Sequence, residues 1–329
     1  MSLSENDFAS GAKNALACIF SLSGFELTQR EMDLFSYSNP FGFILFKRNC
    51  DNPDQLKSLV AKLKDIVGRD CPILIDQEGG RVQRLRPPHW REFKPMHYFG
   101  DLYAADPDKA LEELRFEVLR MSEELVELGI NVNCAPVLDL QFDGAHDIIG
   151  DRAFSNDPDI VSRLGVSVCR HFLSAGITPI VKHIVGHGRA NSDSHLELPI
   201  IDAPYDELAN SDFVPFENVA SSDIGHNVWA MTAHIKFDAL DADHLVSVSQ
   251  KVIKETIRGH MGFDGILIGD DLDMKAMDCY GSISDKAIET LSAGCDLALY
   301  CGGDIDKMEE LAVKLPKISS ETMKRLSNG

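Results

Sequence analysis

Eight short apolar runs bounded by turn-forming residues punctuate the chain: Leu16 to Leu22, Phe41 to Phe46, Pro72 to Ile75, Ile130 to Ala135, Ile177 to Val181, Asn227 to Thr232, Gly265 to Ile268 and Cys295 to Tyr300. Runs this short and this continuously apolar predict strands buried on both faces. Between them, apolar residues recur at spacings of three and four, as at Leu56, Leu59, Val60, Leu63, Ile66 and Val67, which puts one apolar stripe on a helix. The same spacing predicts helices over 107–128 and 158–175, closed by Gly129 and Gly176 as C-caps. Buried strands alternating with helices imply an α/β fold with a parallel sheet covered on both sides. Eight repeats of the unit favour closure into a (β/α)8 TIM barrel, with an open doubly wound sheet as the alternative. No low-complexity tract or Pro/Ser-rich linker divides the chain, so residues 1–329 read as a single domain whose tail, from about residue 303, forms a last amphipathic helix.

Composition narrows the function. With 329 residues, 44% of them apolar, the chain can bury a full core. Its 32 basic and 52 acidic residues give a formal charge of -20, which repels nucleic-acid phosphates and anionic membranes. The first twenty residues place no basic segment ahead of a long apolar one, and no run approaches the roughly 18 apolar residues of a spanning helix. A cytoplasmic location is therefore expected. The eight cysteines include no CxxC pair, and most lie in apolar runs, where a thiol behaves as a small hydrophobe.

A barrel carries its chemistry at the C-terminal ends of its strands, and there this sequence is strongly polar. The second run ends in Lys47-Arg48, the third in Asp76-Gln77-Glu78, the fifth in Lys182-His183, the sixth in His234 and the seventh in Asp270-Asp271, while the fourth leads to Asp139. Around the seventh run, strand alternation puts Asp270 on the face of Ile266 and Ile268 and Asp271 on the opposite face. Only Asp270 is then expected to point into the barrel mouth, leaving Asp271 for the adjoining turn or a helix cap.

Residues 182–195 concentrate Lys182, His183, His187, Asp193 and His195 in one Gly-rich segment. Such a density of titratable groups points to proton transfer near neutral pH. Asp193 and His195 stand two apart, so in an extended segment the carboxylate can orient the imidazole for acid/base work; a solvated surface turn is the bland alternative. Asp76, Glu78, Arg81 and Arg84 combine carboxylates that can accept from vicinal hydroxyls with guanidinium forks, on either side of a Gly-Gly turn. A structural Arg–Glu pair explains them equally well. His183 and His187 have a metal-like spacing of four, but Gly186 spoils a helical HxxxH, and no metal or other cofactor is expected. Lys182 at a strand end is also compatible with a Schiff-base lyase.

Six segments in order, DQEGGRVQRL at 76–85, GDRAF at 150–154, KHIVGHG at 182–188, SDSHLELP at 192–199, MTAHI at 231–235 and GDDLDM at 269–274, resemble the single-domain bacterial β-N-acetylhexosaminidases of glycoside hydrolase family 3. The resemblance spans nearly the whole chain. It implies a (β/α)8 barrel that removes terminal β-linked N-acetylglucosamine from muropeptides during peptidoglycan recycling. It also implies Asp270 as nucleophile, His195 as acid/base with Asp193 as its partner, and sugar contacts from Asp76, Arg84, Arg152, Lys182 and His183. The expected partner is a small carbohydrate or muropeptide, bound by a monomer, with neither nucleic acid nor membrane involved. The sequence departs from the family pattern at Ile184-Val185, where Phe-Pro is usual, and at Gly269 and Asp273, where serines are expected. Because a histidine acid/base brings no negative charge toward an incoming anion, phosphorolysis is a variant of the reaction, and a sugar-binding barrel without activity is the non-enzymatic rival.

Overall fold

Each of the eight apolar runs carries a strand. In the computed structural model, which describes residues 7–142, 144, 147–190 and 198–328, these are β1 (Leu16–Phe20), β2 (Pro40–Leu45), β3 (Ile73–Ile75), β4 (Val132–Asn133), β5 (Thr178–Ile184), β6 (Trp229–Thr232), β7 (Leu267–Asp271) and β8 (Leu297–Tyr300). Each strand pairs in parallel with its chain neighbours and β8 pairs with β1, so the sheet closes as a barrel rather than ending in open edges. One residue from each strand, Ile19, Ile44, Leu74, Val132, Ile180, Met231, Ile268 and Leu299, meets the others in a single cluster inside the barrel. Outward-facing neighbours such as Phe43, Ile75, Val181 and Leu267 join a second cluster formed with the surrounding helices.

The helices start where local chemistry starts them. Asn52, Asp106 and Asp157 each precede a proline and cap the first turn of helices Pro53–Val67, Pro107–Glu127 and Pro158–Ser174 through their side-chain oxygens. Proline at the first helical position sacrifices only an N–H that would be unpaired anyway. Gly68, Gly129 and Gly176, with φ of 66°, 77° and 82°, follow the helices in the left-handed region. The predicted stripe of Leu56, Leu59, Val60 and Leu63 is buried against the barrel. At about 1.5–3 kcal/mol for each such side chain, this packing rather than helix propensity holds the outer layer in place.

The segment after residue 303 differs from the expected single helix: it forms two, Ile305–Lys314 and Ser320–Asn328. Pro316 explains the break, since it lacks an N–H and pushes the preceding Leu315 into an extended conformation. The freed Pro316 carbonyl accepts from Ala17 N, and Ile318 N donates to Ala15 O, which ties the tail beneath β1. Buried Asp296 accepts from Thr322, Arg325, Arg258 and the amide of Leu267, so the last helix helps to floor the barrel. The opposite, C-terminal end is left to the polar residues. All eight cysteines are free thiols, five of them buried, and Cys279 alone among them is exposed. No helix among the described residues is long and apolar enough to cross a membrane.

Candidate active site

At the C-terminal end of the barrel lies a cavity of about 250 Å³, lined on one side by Asp76, Glu78, Arg84, Arg152, Lys182, His183 and His187, and on the other by Asp270, Asp271, Met231, Met274 and Leu299. Asp270 arrives there as alternation predicts, two residues beyond the inward-facing Ile268. Asp271 also lines the cavity, with its carboxylate turned to backbone amides as the expected turn role requires. Pairing between β7 and β8 shifts register between Ile268 and Asp271, and past such an irregularity strict alternation no longer holds. The Asp271 Oδ1 accepts from Asp273 N at 3.2 Å and from Cys301 N, on β8's exit, at 3.0 Å. Burial pushes this carboxyl up to about 6, against those two hydrogen bonds.

Facing Asp270 is a ladder of alternating charge. Lys182 Nζ lies 2.9 Å from Asp76 Oδ1 and 2.7 Å from Glu78 Oε1. Arg84 closes on Asp76 Oδ2 at 2.9 Å, and Arg152 grips Glu78 with two nitrogens at 2.8 and 2.9 Å. Burial alone would raise both carboxyls. The flanking cations outweigh it, holding Asp76 well below the carboxylate range and Glu78 down to about 2. Burial likewise works against the Lys182 ammonium, but Asp76 and Glu78 more than compensate and raise its pKa above the ordinary lysine value. A lysine held protonated between two carboxylates is a poor amine nucleophile, which argues against the Schiff-base alternative. A preorganised, largely buried set of charges is instead suited to fixing the hydroxyls of a sugar.

Local sequence builds the ladder. Gln77–Gly79 and Val82–Gln83 form a small antiparallel ribbon, turned by Gly79 and Gly80 at φ of 100° and 55°. A Cβ on Gly79 would sit 2.3 Å from Lys94 O, so close approach as well as backbone angle calls for glycine there. Arg81 does not enter the cavity lining. It pairs with Asp147 and Asp151 and donates to the carbonyls of Asp147, Ile148 and Ile149, fastening the loop that carries Arg152. Gly100 lets helix Met96–Ala105 pack on the same loop, since a Cβ there would lie 1.6 Å from Phe154 O.

Fully buried Asp139 organises the 183–187 turn. Its Oδ2 lies 2.6 Å from His183 Nδ1, and its Oδ1 accepts from the amides of His183 and His187 at 3.2 and 2.7 Å. A carboxylate at Nδ1 fixes the ring and turns the Nε2 edge outward. The His183 and His187 rings meet edge to face, with centroids 5.3 Å apart. Burial, reinforced by His183, lowers the His187 pKa to about 4, so His187 is neutral at physiological pH. The peptide bonds Lys182-His183 and Ile184-Val185 are both cis, and Ile184 and Val185 are fully buried.

The fold thus gathers Asp76, Arg84, Arg152, Lys182, His183 and Asp270 around one cavity, while Asp193 and His195 lie outside the described residues. The sequence pattern puts Glu78, Asp139 and His187 among the polar residues of the rim without giving any of them a specific role, and keeps Asp271 for the adjoining turn. Glu78 was readable: it stands two residues from Asp76, so extended geometry puts both carboxylates on one face, toward Lys182. Asp139 was not, because its partners lie 44 and 48 residues away.

A closed parallel barrel whose catalytic end opens on a sugar-sized, charge-lined cavity with a strand-end aspartate defines a (β/α)8 glycosidase. The sequence profile of the glycosyl hydrolase family 3 N-terminal domain matches residues 25–328, and the chain belongs to that family. Among relatives, the "Beta-hexosaminidase" of Nitrosomonas eutropha is 34% identical over 294 residues, covering 89% of this chain and 82% of that protein. The "Beta-hexosaminidase" of Methylobacillus flagellatus is 32% identical over 305 residues, covering 92% and 85%. Among solved structures, NagZ from Neisseria gonorrhoeae in complex with N-trifluoroacetyl-D-glucosamine superposes with a TM-score of 0.87 at 29% identity, over 96% of this chain and 90% of that one.

Proposed function

We propose that this protein is a β-N-acetylhexosaminidase that releases terminal, non-reducing β-linked N-acetylglucosamine from peptidoglycan-derived muropeptides in the cytoplasm, with net retention of configuration. The observation that carries the reading is Asp270 standing at the end of β7, across a one-sugar cavity from the Asp76–Lys182–Glu78–Arg152 ladder. A carboxylate on one side and fixed hydroxyl-binding groups on the other suit in-line attack on an anomeric carbon. The names of the Nitrosomonas and Methylobacillus relatives, and the 2-acylamino sugar bound to the Neisseria protein, support a hexosamine at this position.

In the proposed first step, an Asp270 oxygen forms a bond to C1 as the C1–O bond to the aglycone breaks, and His195 gives its proton to the departing oxygen. Water then attacks C1, loses its proton to His195 and displaces the Asp270 carboxylate, so both residues return to their starting states. Asp193 orients the His195 ring. The roles of Asp193 and His195 rest on their two-residue spacing and on the family resemblance.

A 2-deoxy-2-fluoro glycosyl fluoride tests the nucleophile, because fluorine at C2 slows release of a covalent intermediate. The expected result is a stoichiometric adduct on the peptide containing Asp270. Full turnover of aryl β-glycosides without any labelled residue would overturn the assignment in favour of attack by the substrate's own acetamide. The same aryl glycosides, varied only at C2 and assayed with and without phosphate, separate an acetamido requirement from general glycosidase activity, and hydrolysis from phosphorolysis.

A further inference from the structure

The ring of His234 is fully buried just beyond β6, outside the cavity lining, yet it sits against the backbone that follows Asp270. Its Nε2 lies 3.1 Å from Asp271 O and its Nδ1 lies 2.7 Å from Ser247 Oγ. A carbonyl oxygen only accepts, so Nε2 carries the proton. Burial holds the imidazole pKa below its ordinary value despite the nearby Asp270 charge, so the ring is neutral and Nδ1 accepts from the Ser247 hydroxyl. One tautomer therefore satisfies both contacts. The other side of the same residue reaches the reaction centre, where Asp271 N donates to Asp270 Oδ1 at 2.8 Å. Residue 271 is thus held from three strands: its carbonyl by His234 beyond β6, its carboxylate by Cys301 N beyond β8, and its own chain in β7.

We propose that His234 is a positioning residue for the reaction: by holding the carbonyl of Asp271 it fixes the backbone of that residue, so that the N–H on the preceding peptide unit aims the Asp270 carboxylate at the anomeric carbon. The proposal rests on Asp270 being the nucleophile. The sugar-binding ladder stands on the other side of the cavity, so a looser Asp270 changes the rate of attack and leaves ground-state binding nearly untouched. Misplacing a reacting group by about 1 Å costs on the order of a hundredfold in rate.

Replacing His234 tests the donor itself. In His234→Gln the side-chain amide nitrogen can occupy the Nε2 position and still donate to Asp271 O, whereas His234→Leu cannot. His234→Leu is expected to lose about tenfold to a hundredfold in kcat and in the rate of fluoro-sugar trapping, with KM changed less than about twofold. His234→Gln is expected to recover to within about threefold of wild type. Because His234 is a core residue, Ser247→Ala and Ser247→Thr provide a second pair: alanine should lower kcat through loss of the fixed tautomer, and threonine, which keeps the hydroxyl, should restore it. Wild-type kcat in folded His234→Leu, equal loss in Gln and Leu, or indifference of both Ser247 variants would overturn the proposal. Fluoro-sugar labelling of the wild type at Asp270 separates that outcome from failure of the nucleophile assignment, which absence of the label would mark instead.

Discussion

Glu78→Gln removes one negative charge from a site where Glu78 is 2% exposed and bound by Arg152 and Lys182 together. The neutral amide keeps the shape, but one of its two acceptor atoms becomes a donor facing a guanidinium, and Lys182 loses one of its two carboxylate partners. Removing one partner of a buried ion pair costs about 3–5 kcal/mol. The pKa gives a similar figure: lowering the Glu78 carboxyl from 4.5 to about 2 is worth on the order of 3 kcal/mol at about 1.4 kcal/mol per unit. At roughly 2–3 °C per kcal/mol for a chain of this size, the variant should melt about 6–15 °C below wild type at pH 7. The sign with pH follows from the depressed value. A carboxyl with a lower pKa in the folded state stabilises the fold fully above about 4.5 and loses that contribution as pH falls toward 2. The difference between wild type and variant should therefore be largest at neutral pH and shrink below about pH 4.5. Calorimetry at a series of pH values measures both effects; kcat/KM on an aryl N-acetylglucosaminide is a separate readout, expected to drop about tenfold to a hundredfold if the disturbed ladder holds the sugar about 1.4–3 kcal/mol less well in the transition state. A melting difference under about 2 °C at pH 7, or one that does not narrow between pH 5 and 3, would show that the ladder is not the buried charge network described.

Two further substitutions probe other parts of the site. Asp139→Asn can still accept from the two turn amides but no longer binds His183 Nδ1 with a carboxylate, so KM should rise about tenfold while kcat changes less; an unchanged KM would remove His183 from substrate binding. Gly269→Ser introduces the residue expected from the family pattern, yet its Cβ would lie 2.5 Å from Thr290 Cγ2, within a buried helix contact. The cost should be about 1–3 kcal/mol in urea unfolding and should largely disappear in combination with Thr290→Ser, which deletes that methyl; failure of the rescue would place the strain elsewhere.

The positions of all eight strands, the helix starts and stops, and the inward phase of Asp270 are local properties. Apolar period, capping side chains and glycine angles depend on neighbours within a turn or a strand, so reading along the chain recovers them. The two-residue spacing of Asp76 and Glu78, which puts both carboxylates on one face of an extended segment, belongs to the same class. The tail shows how one local feature can override a periodic one: an amphipathic pattern runs on past residue 303, but Pro316 cuts it in two.

The joining of these parts was decided only in three dimensions. Lys182 meets Asp76 across 106 residues of sequence, Arg152 meets Glu78 across 74, and His183 meets Asp139 across 44, because barrel closure brings the ends of separate strands to one rim. The register shift that lets Asp271 share the cavity arises from how β7 lies on β8, which no pattern within β7 encodes. Electrostatic character follows the same division. Composition determines the overall negative charge, but whether a given carboxyl is driven down, as at Glu78, or up, as at Asp271, depends on which cations the closed barrel places beside it and how much water it excludes.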